Sequence, residues 1–466
     1  MRTLSMPADI PGAWVPDWAR RAVFYHIHPY GFLGAPLVKP AGGPVPRLAA
    51  LRAWIPHMAE MGVSALYLGP VSCSMRHGYD TVDLRRVDER LGDAALLKDL
   101  VESLHAAGIR VILDGVYNHV GRDFHAFQDV RRRGRASPYA GWFHIDWTGD
   151  NSFGDGFAYE SWAGLGRLPR LNLSDPEARA HVIDSGVWWL TEIGADGWRL
   201  DAAHEIAPAF WRDFRRACKA ARPDCLLVGE LVHGDYGLWT GPDLLDAATD
   251  YQLYDALWSA VAGGHLSGLA AELRRAHAPG GLYAGHRLLS FLGNHDVDRL
   301  MTRLGEVRKL RQALGLLFAL PGIPCLYYGD EIGLAGRHSP DNWQVRQPMP
   351  PRTLWPAWAE AAVAWTGRLA ALRRRLPALA DGGCRVVVDD GTDLAVLRPH
   401  PAGDVLVAAS ADPDRAAVAV PCEAVGEADF ADALDPDAAP LARRGAHLLV
   451  PLARDAGVGI AAARRG

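Results

Sequence analysis

The sequence predicts an α/β fold: a (β/α)8 TIM barrel with an inserted subdomain after the third strand and a C-terminal all-β domain. Three observations carry that prediction. Short apolar runs of β type alternate with amphipathic helical stretches over most of the chain. About eight such runs occur, the number a closed barrel of this class needs. Beyond residue 377 the alternation stops, and short β-type runs follow one another between Asp, Gly and Pro turns. A chain of 466 residues, 49% hydrophobic and 22% charged, is long and apolar enough for a barrel with an appendage. That composition excludes a disordered or fibrous protein.

The candidate strands are 23–27, 65–68, 111–114, 197–200, 226–229, 288–292 and 325–328, with a weaker run at 247–251 as the eighth. Leu48, Leu51, Ile55, Met58 and Met61 recur at helical spacing, as do Leu96, Leu97, Leu100, Leu104 and Ala107. Gly62 and Gly108 stand where a C′ glycine ends each helix. Asp175-Pro176-Glu177 reads as an N-cap, a first-turn proline and an acidic first turn. Residues 121–171 interrupt the alternation with Gly, aromatic and polar residues, and an insertion of that length is usually functional. The expected division is a barrel over 1–120 and 172–378, the insert over 121–171, and a C-terminal β-sandwich over 379–466 with strands at 384–388, 394–397 and 405–409. The arginine run at 131–133 is expected on a solvated helix face.

Charge and cysteine usage narrow the function classes. A net charge of −5 gives no support for a nucleic-acid or membrane surface, both of which favour basic patches. No apolar run approaches the ~20 residues of a spanning helix, and the opening residues contain no apolar signal-peptide core. The six cysteines (Cys73, Cys218, Cys225, Cys325, Cys384 and Cys422) form no CxxC pair, so neither a zinc site nor a disulfide framework is indicated. A reduced cytoplasm is the expected location. The 16 tryptophans serve either a buried core or aromatic platforms for flat apolar faces such as sugars.

Several predicted strands end in polar residues, which in a barrel converge on the C-terminal face. The third runs into Asp114-Gly115-Val116-Tyr117-Asn118-His119, the fourth is Gly197-Trp198-Arg199-Leu200-Asp201, the fifth ends Gly229-Glu230, and the seventh runs into Gly293-Asn294-His295-Asp296. One face therefore collects Asp114, Arg199, Asp201, Glu230, His295 and Asp296. Carboxylates grouped with Arg and His suit glycosidic bond cleavage, in which one carboxylate attacks the anomeric carbon and one carboxylic acid protonates the leaving oxygen. Arg199 lies two residues before Asp201, on the same strand face, and is expected to lower its pKa. Glu230 follows an apolar run near two aspartates, a setting that raises a carboxyl pKa. Taken singly, each residue also has an ordinary structural reading, as a loop cap, an ion pair or a satisfied histidine. Their joint placement at four strand ends argues for a site.

These residues resemble the α-amylase family (glycoside hydrolase family 13) over nearly the whole chain. DGVYNH at 114–119 resembles the family's first region, DxVxNH. GWRLD at 197–201 resembles the second, Gly229-Glu230 the third and Asn294-His295-Asp296 the fourth. His77-Gly78-Tyr79-Asp80-Thr81 resembles the segment that places a His and a stacking Tyr beside the cleaved bond, and Arg346 resembles the family's Arg near the eighth strand. Leu168-Pro169-Arg170-Leu171-Asn172 resembles the MPKLN region of the neopullulanase, cyclomaltodextrinase and maltogenic amylase subfamily, and Glu205, four residues after Asp201, agrees with that branch. The subfamily's usual N-terminal β domain has no counterpart before the predicted barrel, so a monomer or weak dimer is expected.

The resemblance implies a retaining α-glucoside hydrolase acting on α-1,4-linked glucans, short maltooligosaccharides or cyclodextrins, with transglycosylation as a side reaction. It implies Asp201 as nucleophile, Glu230 as general acid/base and Asp296 as the carboxylate that grips the 2- and 3-hydroxyls. His77, Tyr79, Asp114, His119, Arg199, His295 and Arg346 are the implied substrate-binding set. The carboxyls of Asp201 and Glu230 are expected ~5–5.5 Å apart. No cofactor is expected. A calcium site and a structural hydrogen bond are both open to Asn118, but calcium takes about 6–8 oxygen ligands and the sequence names one or two, so no metal is assigned. Trp162 is expected either to line acceptor subsites or to pack within the insert. Ala202 weakly favours α-1,4 bonds. The alternatives are an α-glucosyl transferase or isomerase using the same first half-reaction, and a non-catalytic glucan-binding protein, against which the intact carboxylates argue.

Overall fold

The computed structural model describes residues 14–39, 42–340, 342–435 and 437–463. Eight parallel strands form the barrel: β1 (Phe24–Ile27), β2 (Ala65–Leu68), β3 (Arg110–Gly115), β4 (Gly197–Leu200), β5 (Leu226–Gly229), β6 (Ala247–Ala248), β7 (Leu289–Phe291) and β8 (Ile323–Tyr327). They pair in the order β6-β5-β4-β3-β2-β1-β8-β7. A parallel bridge between Thr249 and Leu289 closes the gap from β6 to β7. The weak run at 247–251 does supply a strand, but only its first two residues extend, because Asp250 caps the helix Tyr251–Gly263 by accepting the Leu253 N–H.

Strand alternation sorts the side chains into two sets. Phe24, Ala65, Tyr67, Ile112, Leu226, Val228, Ala247, Leu289, Phe291, Ile323 and Cys325 fill one apolar cluster, the barrel interior. Tyr25, Ile27, Leu66, Leu68, Val111, Leu113, Trp198, Leu200 and Leu227 pack in the other, against the surrounding helices. Continued past the strand tips, the inward parity is that of Asp114, Arg199, Asp201 and Glu230. Val15, Ala19 and Ala22, in the segment before β1, join the interior cluster. Gly197 lets β4 approach β5 closely, since a Cβ there would lie 2.1 Å from the Leu226 carbonyl oxygen.

The helix Ala94–Ala106 buries Leu97, Leu100, Val101 and Leu104, while the expected Ala107 is exposed. Asp175 caps the helix Pro176–Trp188 by accepting the Glu177 and Ala178 N–H groups. Gly62 and Gly108 both adopt positive φ after their helices, at 70° and 76°. Between β3 and β4 lie the helix His125–Arg133 and a small antiparallel pair, Ile145–Asp146 with Ala158–Tyr159. Arg131 pairs with Asp155, and the half-exposed or exposed Arg132 and Arg133 pair with Asp129, as a solvated face requires. The C-terminal region is all antiparallel, one sheet of five strands and one of three. They enclose a core that includes Leu397, Leu406, Val418, Phe430, Leu448 and Val450. No helix among the described residues is long and apolar enough to cross a membrane.

Candidate active site

The parallel register sets Asp114 of β3 beside Arg199 of β4, and Arg199 beside Val228 of β5, two residues before Glu230. Arg199 is buried, and its guanidinium is the centre of the site. Nη1 donates to Asp114 Oδ1 at 2.9 Å and to Asp201 Oδ1 at 2.8 Å, while Nη2 contacts Glu230 Oε1. Glu230 Oε2 also accepts the Ala202 N–H at 3.0 Å. Ala202 can aim that N–H because its backbone is left-handed, with φ 44°. Tyr67 and Tyr79 donate their hydroxyls to Asp114 Oδ2 at 2.7 and 2.8 Å. Tyr79 also meets His295 Nε2, and the two rings are nearly parallel with centroids 5.1 Å apart.

Asp296 sits across from this cluster. Its Oδ2 lies 2.9 Å from His295 Nε2, and its Oδ1 accepts from Arg346 Nη2 at 2.7 Å and from Asn342 Nδ2 at 3.1 Å. Arg346 Nε donates to the His295 carbonyl at 3.0 Å. His119 packs under Trp162, with ring centroids 5.4 Å apart, and its Nε2 lies 3.0 Å from the Tyr79 carbonyl oxygen. Half-buried His77 accepts the Tyr79 N–H at its Nδ1, 3.4 Å away. All ten residues singled out in the sequence thus belong to one connected constellation.

Electrostatics divides the carboxylates. Burial raises the Asp201 carboxyl well above the usual range; Arg199 opposes the shift, and Glu230 and Asp114 add to it. Arg199 does pull the Asp201 carboxyl down, as the strand spacing implies, but burial outweighs that pull, and the same guanidinium is shared with Asp114 and Glu230. Burial pushes Asp296 the same way, but His295, Arg346 and Arg199 overcome it and hold that carboxyl well below the usual range. Burial disfavours the Arg199 charge, yet Asp114 and Glu230 hold its pKa well above normal. Burial brings His119 down to about 4 and also lowers His77.

Sequence reasoning missed Tyr67, His26, His28, Tyr251 and Asn342. His26 stacks on Tyr67 at 3.9 Å, and His28 lies 5.6 Å from His295, ring to ring. The inward parity of β1 and β2 was the available signal for His26 and Tyr67. Tyr251 approaches Glu230 Oε1 at 3.4 Å and accepts from Asn294 Nδ2 at 2.9 Å. Asn118 is buried; its carbonyl accepts the Leu171 N–H at 3.0 Å, and its Nδ2 has no hydrogen-bond partner among the described residues. No group of three His, Cys, Asp or Glu ligand atoms forms around Asn118 among the described residues. Among the described residues no carboxylate or imidazole cluster stands beside that amide, where a calcium ion takes about 6–8 oxygens.

Residues 48–419 match the family model described as the alpha amylase catalytic domain. A cyclomaltodextrinase from Geobacillus thermopakistaniensis (strain MAS1) is 36% identical over 348 residues, 70% of this chain and 58% of that one. Neopullulanase 2 from Thermoactinomyces vulgaris is 36% identical over 392 residues, 79% of this chain and 65% of that one. This chain thus spans less than two thirds of the length of either relative. A solved structure of cyclic alpha-maltosyl-(1→6)-maltose hydrolase from Arthrobacter globiformis, ligand-free, superposes with a TM-score of 0.79 at 30% identity, covering 97% of this chain and all of that one. With a model match over most of its length and the strand-end carboxylates in register, the chain belongs to the alpha-amylase family.

Proposed function

We propose that the protein is a retaining hydrolase of short α-1,4-linked glucans, linear or cyclic. The meeting of Asp114, Asp201 and Glu230 on the Arg199 guanidinium carries the reading. Asp201 attacks C1 of the sugar and forms a covalent glycosyl-enzyme. Glu230 gives its proton to the departing oxygen, then takes one from the water that resolves the intermediate, so the product keeps its α configuration. In this reading the reactive form has Asp201 ionised against Arg199 and the transferable proton on Glu230. Asp296 remains ionised and grips the 2- and 3-hydroxyls, where hydrogen bonds strengthen as the oxocarbenium-like transition state forms. Tyr79, His77, His119, His295 and Arg346 complete the sugar pocket. A sugar hydroxyl in place of water gives transglycosylation, the side reaction, and an enzyme dominated by it is the second reading.

Residues 121–171 form, in this proposal, a subdomain bordering the acceptor side, where half-buried Trp162 overlies His119. The proposed location is the cytoplasm, which suits six cysteines all present as free thiols. The protein works as a monomer or weak dimer.

The test is a product time course on maltotriose, γ-cyclodextrin, pullulan, isomaltose and sucrose. The cyclic maltosyl-maltose named for the Arthrobacter enzyme joins the panel, because that structure matches this chain along its length. Opening of a ring or trimming of maltotriose to α-configured products is expected. Products longer than the substrate as the main outcome favour the transferase, and a folded enzyme inert on the whole panel overturns the reading.

A further inference from the structure

We propose that Arg90 is a positioning residue that sets the sugar-contacting turn bearing His77 and Tyr79, an inference that rests on the sugar pocket proposed above. Arg90 has no exposed surface, and among the described residues its side-chain hydrogen bonds go to Asp88, to Ser74 and to the carbonyls of Pro36, Leu37 and Arg76, none of them a residue of the sugar pocket. It forms a buried ion pair with Asp88, Nε to Oδ1 at 2.7 Å and Nη2 to Oδ2 at 2.8 Å. An ion pair alone would leave the rest of the fork empty. Instead Nη1 donates to the Leu37 carbonyl at 2.7 Å and to the Arg76 carbonyl, and Nη2 donates to Ser74 Oγ at 2.9 Å. Ser74 Oγ in turn accepts the Gly78 N–H at 3.0 Å. The guanidinium carbon lies 4.7 Å from the centroid of the Tyr30 ring.

Those contacts select two segments. Arg76 and Gly78 flank His77, and Gly78 precedes Tyr79, in the turn joining the short strands Ser72–Ser74 and Thr81–Val87. Leu37 belongs to the loop after β1, whose next residues leave Val38 79% exposed and bring Lys39 Nζ to 3.0 Å from Glu89. One planar fork therefore fastens the loop at 36–39 to the turn at 74–80. The fork matters more than the charge: a guanidinium reaches several acceptors in fixed directions, whereas an ammonium is a point donor on a flexible stem. Displacing the turn moves Tyr79 and His77 relative to the sugar while leaving Asp201 and Glu230, which stand on β4 and β5, in place.

Arg90→Lys tests this, because it keeps a positive charge opposite Asp88 but cannot reach Leu37, Arg76 and Ser74 together. Binding contacts made equally in ground and transition states appear in KM, so KM for the best substrate of the panel is expected to rise about tenfold, with kcat changed less than about threefold. Simple structural damage would reduce the active fraction and the apparent kcat and leave KM alone; that outcome overturns the proposal. Hydrogen exchange on the full chain provides a reading that does not depend on turnover. Faster exchange confined to 36–39 and 74–80 is expected in Arg90→Lys, and unchanged or uniformly faster exchange overturns the proposal. A wild-type protein inert on every glucan overturns the functional reading instead, and the exchange comparison still decides the role of the arginine.

Discussion

Arg199 Nη1 lies 2.8 Å from Asp201 Oδ1, two residues along the same inward strand face, and the same guanidinium reaches Glu230 through its other terminal nitrogen. The proposed nucleophile and the proposed acid thus share one cation, yet their proposed tasks differ, and a leaving group that needs no proton separates them. With α-maltosyl fluoride, Glu230→Gln should retain most of the first chemical step. On maltotriose the same variant should lose roughly 10²–10⁴-fold in kcat, the usual size of a general-acid contribution. Asp201→Asn should fail on both substrates, with an unchanged circular dichroism spectrum. Equal losses of Glu230→Gln on fluoride and maltotriose would remove the acid assignment.

Asp330, just after β8, is buried, and neither of its carboxyl oxygens has a hydrogen-bond partner among the described residues; Arg299 Nη1 stands 4.0 Å away. Burial raises its pKa from 3.8 to about 7; Arg299 works against the shift, and Glu331 works with it. The folded state therefore binds this proton more tightly than the unfolded chain does. That contribution to stability is complete below the unfolded pKa and is lost as pH rises toward 7, by about 1.4 kcal/mol per pH unit. Asp330→Asn removes the titration. Its Tm relative to wild type should climb from pH 5 to pH 7 and then level off, as scanning calorimetry would show; a constant difference across that range would refute the assignment.

Asp196 shows the opposite sign at the other end of the barrel. It precedes β4 and accepts from Arg110 at 2.7 Å, Arg222 at 2.6 Å and the Val111 N–H at 2.8 Å, with His105 at 2.6 Å. Asp246 repeats the device before β6, taking Arg215, Lys219 and the Leu227 N–H. Burial alone would raise the Asp196 carboxyl, but His105, Arg110 and the Val111 N–H hold it below its ordinary value. Its stabilisation is present above the unfolded pKa and is lost as pH falls through the folded one. Asp196→Asn should cost about 3 kcal/mol at pH 7 in urea unfolding, and the cost should shrink below pH 4. A penalty that holds constant down to pH 3 would exclude ionisation as its source.

The barrel and the pocket were legible to different degrees, for physical reasons. A parallel strand buried on both faces needs a near-continuous apolar run, so seven strands stood out, and their polar tips at Asp114, Arg199, Asp201 and Glu230 followed. The sixth strand was faint because Ala247–Ala248 is short and the chain enters a helix at once. Tyr67 and His26 hid inside runs that read as ordinary β sequence; only interior parity marks them. The pull of Arg199 on Asp201 was inferred from i, i+2 spacing, but spacing along one strand could not reveal that Glu230 would reach the same guanidinium from the next. The hub at Arg90 was invisible because the contacts that reach the loop and the turn include the Leu37 and Arg76 backbone carbonyls, which carry no sequence signal.

Asn342 was unreadable for a related reason, since its role depends on a turn. It holds a left-handed backbone, φ 57°, in which its carbonyl accepts the Arg346 N–H at 3.1 Å. That turn brings the Asn342 and Arg346 side chains to the same oxygen of Asp296. His295 takes the other oxygen, so the carboxylate is fixed in rotation. A hydrogen bond to a charged group contributes about 1.5–3 kcal/mol, so losing the amide should lower kcat and kcat/KM together by roughly 10-fold or more, the signature of an interaction used in the transition state. Asn342→Gly is the informative variant, because glycine accepts the positive φ and removes only the side chain. Asn342→Ala adds backbone strain and should also lower Tm. If Asn342→Gly keeps full kcat while Asn342→Ala loses it, the turn matters and the amide does not; matching losses in both place the effect on the grip of the amide on Asp296.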